Sequence, residues 1–135
     1  MNKAQKEMMK MMKRDIKMVF FVRRDLKMGK GKIGSQCAHA SIGLYKKLLR
    51  RKNNLLNDWE QSGSKKIVLK VDNESAFGDV LVYCEKYNIL NHTVIDAGRT
   101  QIEANSQTVL CIIEENKKLI NLTRKYKLMW FLKIG

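Results

Sequence analysis

Gly29, Gly31 and Gly34 spell G-x-G-x-x-G. Lys27, Lys30 and Lys32 fall in and beside this run, three cations within six residues. Glycines at the start of a helix leave backbone N–H groups open to an anion, and interleaved ammonium groups add to that pull. A dinucleotide fingerprint also needs an acidic residue about 20 positions on, at the end of the next strand. Here Asn53 and Asn54 occupy that region and the first candidate, Asp72, lies far beyond, so a nucleotide cofactor is disfavoured and phosphate attraction favoured. The second cluster is Asp96-Ala97-Gly98-Arg99-Thr100, followed by Thr108. A carboxylate with hydroxyls is what a water-activating site needs, and the bland alternative is an aspartate capping a turn. Cys37 and His39 stand two apart on a helical stretch, hence on different faces, which argues against a cysteine–histidine nucleophile. Neither His39 nor His92 has further metal ligands at a useful spacing, so no metal site is expected.

These clusters need elements to hold them. Lys17 to Arg23, KMVFFVR, reads as a buried strand, and Arg24 to Gly31 as a loop. From Lys32 to Arg50, Ile33, Cys37, Ala40, Leu44 and Leu48 recur at helical spacing, while Lys32, His39, Lys46 and Arg50 share another, basic face. Arg51 to Asn54 ends this helix, and Leu55 to Gln61 forms a short one anchored by Trp59. Lys66 to Val71 is a second strand. A helix capped by Asn73 follows, with Phe77, Leu81 and Cys84 on its buried face. His92 to Ile95 and Gln107 to Ile113 are the third and fourth strands, and Glu114 to Lys125 is a last helix. His92 is expected to make a local hydrogen bond, and Trp59 and Phe77 to be core. Alternating strands and helices imply an α/β sheet covered on both faces, with one antiparallel neighbour forced by the short link between the last two strands. If the first and third strands are parallel, the lysine loop and Asp96 share one edge of the sheet, where ligands of open α/β sheets bind.

The chain has 135 residues, 44% hydrophobic and 30% charged, with 27 Lys and Arg against 13 Asp and Glu. That is one domain with a formal charge of +14. A surplus this large implies a polyanionic partner, nucleic acid before an anionic membrane. No apolar run is long enough to cross a bilayer as a helix. Three unpaired-looking cysteines without a C-x-x-C favour a reducing compartment, the cytoplasm, with the mitochondrion left open by the basic arm. Residues 1–14 read as a basic Met-rich arm, 15–129 as one domain and 130–135 as a tail.

Arg23-x-Asp25-Leu26-x-Met28-x-Lys30-Gly31-Lys32, then Gln36-Cys37-Ala38-His39-Ala40, then Asp96-Ala97-Gly98-x-Thr100 and Thr108, together resemble the type II peptidyl-tRNA hydrolases of archaea and eukaryotes. The resemblance runs from about Lys17 to Met129. It implies a three-layer α/β/α sandwich on a four-stranded mixed sheet, order 2-1-4-3, with strand 4 antiparallel. It implies hydrolysis of the ester joining a peptide to tRNA, with no metal or other cofactor. Lys30, Asp96, Thr100 and Thr108 become the expected catalytic residues. Gln36, His39, Lys27, Lys32, Lys46, Lys47, Arg50 and Arg51 are expected to bind substrate. A homodimer is left open. Two stretches depart from the family pattern: Glu103-Ala104-Asn105-Ser106-Gln107 replaces a turn usually holding Pro and Gly, and Glu114-Glu115 replaces a Gly-Pro. The rival readings are a non-catalytic RNA-binding module of the same fold and an interaction protein acting through its Met-rich arm.

Overall fold

The computed structural model describes residues 1–12, 14–51, 54–98 and 103–129. Lys52, Asn53, Arg99, Thr100 and the expected tail from Trp130 lie outside the described residues. The elements run α1 (Lys3–Met12), β1 (Ile16–Arg23), α2 (Lys30–Arg50), α3 (Leu55–Gln61), β2 (Lys66–Val71), α4 (Ser75–Tyr87), β3 (Leu90–Ile95), β4 (Gln107–Glu115), α5 (Asn116–Thr123) and β5 (Lys127–Leu128).

The apolar run KMVFFVR takes the centre of the sheet because it can be buried on both sides. Ile16, Met18, Phe20 and Val22 face one layer, with Ile33, Ala40, Leu44 and Leu48 of α2 and Leu55 and Trp59 of α3. Val19 and Phe21 face the other, with Phe77, Val80 and Cys84 of α4 and Leu119 and Leu122 of α5. This period of two fixes the register, since a slip by one residue would exchange the two faces. Trp59 and Phe77 are core, as their spacing implies.

β1 pairs in parallel with β2 and antiparallel with β4, and β4 pairs antiparallel with β3. β3 therefore runs parallel to β1, and both deliver their carboxyl ends to one edge. The sheet order is β3-β4-β1-β2-β5, which corrects the four-stranded expectation. The first four strands keep the expected neighbours, and a fifth is added beside β2 through Leu69 with Leu128 and Lys70 with Lys127. Met129 N–H extends the pairing by donating to the Val68 carbonyl at 3.0 Å. This short return covers an edge that would otherwise present unpaired N–H and C=O groups.

Several boundaries also move, with α2 starting at Lys30 rather than Lys32 and β3 at Leu90 rather than His92. β4 continues through Glu114 and Glu115, expected to open the last helix, because they pair with Lys17 and Ile16 of β1. α4 starts without a side-chain cap from Asn73, whose Oδ1 instead accepts from the Ser75 hydroxyl at 2.5 Å. At the altered turn Asn105 takes a φ of 66°, a left-handed value that asparagine tolerates and glycine would otherwise supply. Its N–H donates to the Asp96 carbonyl at 2.8 Å, while Asp96 N–H donates to Ser106 O at 2.9 Å. The turn thus closes without Pro or Gly, directly behind Asp96.

Candidate active site

Arg23 ends β1 and holds the loop that follows. Its guanidinium grips Asp25 through two parallel contacts, Nε to Oδ1 at 3.0 Å and Nη2 to Oδ2 at 2.7 Å, and Nη1 donates to Gln107 O at 3.0 Å. These hydrogen bonds hold the Asp25 carboxyl below its ordinary range. The loop after β1 is thereby tied to the first residue of β4, with Lys27 turned through a φ of 51°. Gly29 then opens α2 with no side-chain cap. The first-turn N–H groups of a helix have no acceptor within it, and Lys30, Gly31 and Lys32 occupy that turn.

Asp96 follows β3 and is 5% exposed. Strand parity decides where it points: Leu90 and Val94 pack into the α2 layer, so Asp96, two residues beyond Val94, faces α2 as well. There the Lys32 ammonium lies 3.0 Å from its Oδ2, and Gly98 N–H donates to its Oδ1 at 3.1 Å. Gly98 has a φ of 79° and lies so close to Ala104 that a side chain at 98 would overlap it. A buried carboxylate is tolerable only with such partners.

Thr108 reaches the same place by a different device. Leu110 and Ile112 face the α4 layer, and alternation alone would send Thr108 there too. The register shifts instead, since Val94 pairs with Val109 while Ile95 pairs with Gln107, leaving Thr108 as the extra residue of a bulge. Its hydroxyl accepts from Gln36 Nε2 of α2 at 2.8 Å and lies 3.4 Å from Val94 O. Gln36 is buried on the α2 face that carries Ile33 and Ala40. Lys32, Gln36, Asp96 and Thr108 therefore meet at one point between α2 and the carboxyl end of β3.

From that point a cleft of about 770 Å³ runs between α2 and β3. His39, Lys46, Lys47 and Arg50 line it from the helix, and His92 to Ala97 from the strand. Lys47 donates to Asn91 O at 2.8 Å, and Lys47, Arg50 and Arg51 line a smaller hollow of about 440 Å³ at the far end. The expected substrate residues thus fall into two groups. Lys32, Gln36, His39, Lys46, Lys47 and Arg50 line the cleft, with Arg51 in the hollow beyond, whereas Lys27 stands exposed outside it, as does Lys30, expected to be catalytic. Lys32, not Lys30, makes the contact with Asp96. Thr100 lies outside the described residues. Cys37 packs against the core, where burial pushes its thiol up to about 11 and leaves it a poor nucleophile. Sequence reasoning missed the Arg23–Asp25 fork, the bulge at Thr108 and the position of His92. The His92 ring makes no hydrogen bond among the described residues and instead abuts Gly43.

An α/β domain with a half-buried lysine paired to a buried carboxylate at the end of a basic cleft now has a family to be set beside. The family model described as Peptidyl-tRNA hydrolase PTH2 matches residues 16–129, and the chain belongs to that family. A probable peptidyl-tRNA hydrolase 2 of Drosophila melanogaster is 45% identical over 98 residues, covering 73% of this chain and 53% of that protein. A human protein called peptidyl-tRNA hydrolase 2, mitochondrial, is 43% identical over 98 residues, covering 73% and 55%. The chain thus spans about half the length of these animal relatives. A peptidyl-tRNA hydrolase of Methanothermobacter thermautotrophicus is 39% identical over 115 residues, covering 84% of this chain and 100% of that protein. Among solved structures, a protein of unknown function from Agrobacterium superposes with a TM-score of 0.59 at 13% identity, covering 86% of this chain and 98% of that one. That likeness concerns the fold alone.

Proposed function

We propose that this chain hydrolyses the ester between a peptide and the 3′-terminal ribose of tRNA, freeing both. The observation that carries the reading is the meeting of Asp96, Lys32, Gln36 and Thr108 at the head of a cleft whose far end is cationic. Ester hydrolysis needs a positioned water, a proton acceptor and stabilisation of a tetrahedral oxyanion. Asp96 orients the water and accepts its proton as it attacks the carbonyl. The bond from the acyl carbon to the ribose oxygen then breaks, and the proton passes to the leaving 3′-oxygen. Lys32 holds Asp96 in place. The Thr108 hydroxyl, oriented by Gln36, positions the water or the substrate carbonyl, with Thr100 as its partner. Lys30, at the N-terminal turn of α2, stabilises the oxyanion together with the open N–H groups there. Lys27, His39, Lys46, Lys47, Arg50 and Arg51 attract the acceptor end of the RNA. The full-length match to the archaeal hydrolase supports the reading, since that protein is no longer than the domain described here.

The domain is read as residues 15–129, between a basic arm and a tail, and the reaction as independent of metal. The cytoplasm is its proposed site, with the mitochondrion the alternative raised by the names of the mammalian relatives. No described helix is long and apolar enough to cross a membrane. The test is release of N-acetyl amino acid from N-acetyl-aminoacyl-tRNA in the presence of EDTA. Wild-type turnover is expected, with Asp96→Asn losing at least about a hundredfold in kcat while folded. Lys30→Ala is expected to lose about 10²–10³ in kcat. Should Lys30→Ala keep normal turnover while Lys32→Ala collapses, the oxyanion role leaves Lys30. Should folded wild type bind tRNA without turnover, the chain is an RNA-binding module and the hydrolase reading fails.

A further inference from the structure

His92 lies midway along the cleft and has no part in the chemistry above. Its neighbours of equal strand parity, Leu90 and Val94, face α2, and so does its ring. The approach is so close that a Cβ on Gly43 would overlap Nε2 first, then Cδ2 and Cε1. Those distances place the missing Cβ over the ring plane at Nε2, so one face of the ring packs on Gly43 while the residue lines the cleft. Burial and the Lys47 ammonium both lower its proton affinity, so the ring is neutral near physiological pH. On one side stand Asp96 and Gln36, and on the other Lys46, Lys47 and Arg50. Ile95, 56% exposed, adds apolar surface to the same wall.

We propose that the face of His92 opposite Gly43 stacks on a nucleobase in the unpaired 3′ end of the RNA, with Gly43 as the position whose missing side chain lets the ring stand in the cleft. The identity of the RNA rests on the function proposed above. The geometry sets the order of the substrate along the cleft: ester at Asp96, base at His92, phosphates at Lys46, Lys47 and Arg50. Fourteen residues of α2 separate Gln36 from Arg50, about 21 Å at the helical rise, which is room for several single-stranded nucleotides. An uncharged flat ring between a carboxylate and a row of cations suits a base, because every base offers a π-face whatever its sequence. An apolar peptide side chain is the competing occupant, and the basic far end of the cleft argues against it.

The test uses the whole chain and an uncharged, labelled RNA oligonucleotide ending in CCA, with versions carrying one abasic residue at each of the last three positions. His92→Ala and His92→Gln should each weaken binding of the intact oligonucleotide about tenfold at fixed salt. One abasic position should cost wild type a similar factor and cost His92→Ala nothing further. Gly43→Ala should weaken binding through the displaced ring, so Gly43→Ala added to His92→Ala should cost no more than His92→Ala alone. In the hydrolysis assay His92→Ala should raise KM about tenfold and leave kcat within about twofold. The proposal is overturned by wild-type affinity in His92→Ala, by His92→Gln behaving as wild type (a hydrogen bond, not a stack), or by a KM effect that follows the peptide rather than the abasic residue. If wild type hydrolyses nothing while the oligonucleotide still senses His92, the hydrolase reading fails and the base site stands. If hydrolysis proceeds with His92→Ala unaffected, the base site fails and the hydrolase reading stands.

Discussion

A histidine pressed against a helix and faced by a lysine gives up its proton early, and the fold feels it. The folded-state pKa of His92 is lowered from 6.5, first by burial and then by Lys47. The unfolded chain therefore binds more protons than the folded one just below pH 6.5, so stability rises with pH through that window. The contribution is complete above the unfolded value and is lost as pH falls toward the folded one. His92→Gln removes this dependence, and its melting temperature should fall less than that of wild type between about pH 7 and pH 5. Equal slopes in the two proteins would place the titration elsewhere. The neighbouring residues show what types and spacing alone can convey. Asp96, Thr108 and the Lys30–Lys32 pair were all identifiable in the sequence. Which lysine meets Asp96 was not, because residues two apart on a helix point about 200° from one another. The choice depends on the rotation of α2 about its axis, and only packing of Ile33 and Ala40 against the sheet sets that. The His92–Gly43 contact was hidden for a similar reason, since it needs the sliding position of a helix against a strand.

At the scale of elements, α2 carries most of the site: Lys32 and Gln36 at its head, His39 midway, Lys46, Lys47 and Arg50 toward its end. Its apolar spacing announced the buried stripe, and the opposite stripe was basic as read. Burial of Gln36 among apolar residues was not announced; it follows from the Thr108 hydroxyl that receives its N–H at 2.8 Å. That hydroxyl is available only because a bulge breaks the alternation of β4, and a bulge has no simple sequence pattern where Gln107-Thr108-Val109 reads as ordinary strand. β5 was missed because two residues are too few to show a period. The basic end of α2 leads to a measurable expectation. With about five phosphates engaged, log affinity for tRNA should fall with log salt at a slope of about −3.5 to −4.5. Lys46→Ala and Arg50→Ala should each make the slope shallower by about 0.7 to 0.9 and weaken different tRNAs equally. A slope unchanged in both variants would move the RNA off this face.

Over the whole molecule the charge is +14, and the question is how much of it belongs to the body proposed to bind RNA. Residues 1–12 hold three lysines and one glutamate, so without them the charge is still +12. α1 makes its own start, as Asn2 and Gln5 exchange hydrogen bonds between side chain and backbone in a reciprocal cap. Its capping is local. Arg14, by contrast, reads as part of the arm in sequence but bonds Asp58 of α3 at 2.6 Å and Glu115 of β4 at 3.2 Å. These ion pairs tie Arg14 to the body of the protein. Removing residues 1–12 should leave the melting temperature within about a degree and kcat within about twofold. Arg14→Ala should cost about 0.5–1 kcal/mol, because it strips a cation from two carboxylates at once on a partly exposed surface. Thermal melts of both variants, with hydrolysis at saturating substrate, separate the cases. If deletion of 1–12 lowers kcat as much as Asp96→Asn does, the arm belongs to the active site; if Arg14→Ala melts as wild type, the ion pairs that tie Arg14 to α3 and β4 carry no weight.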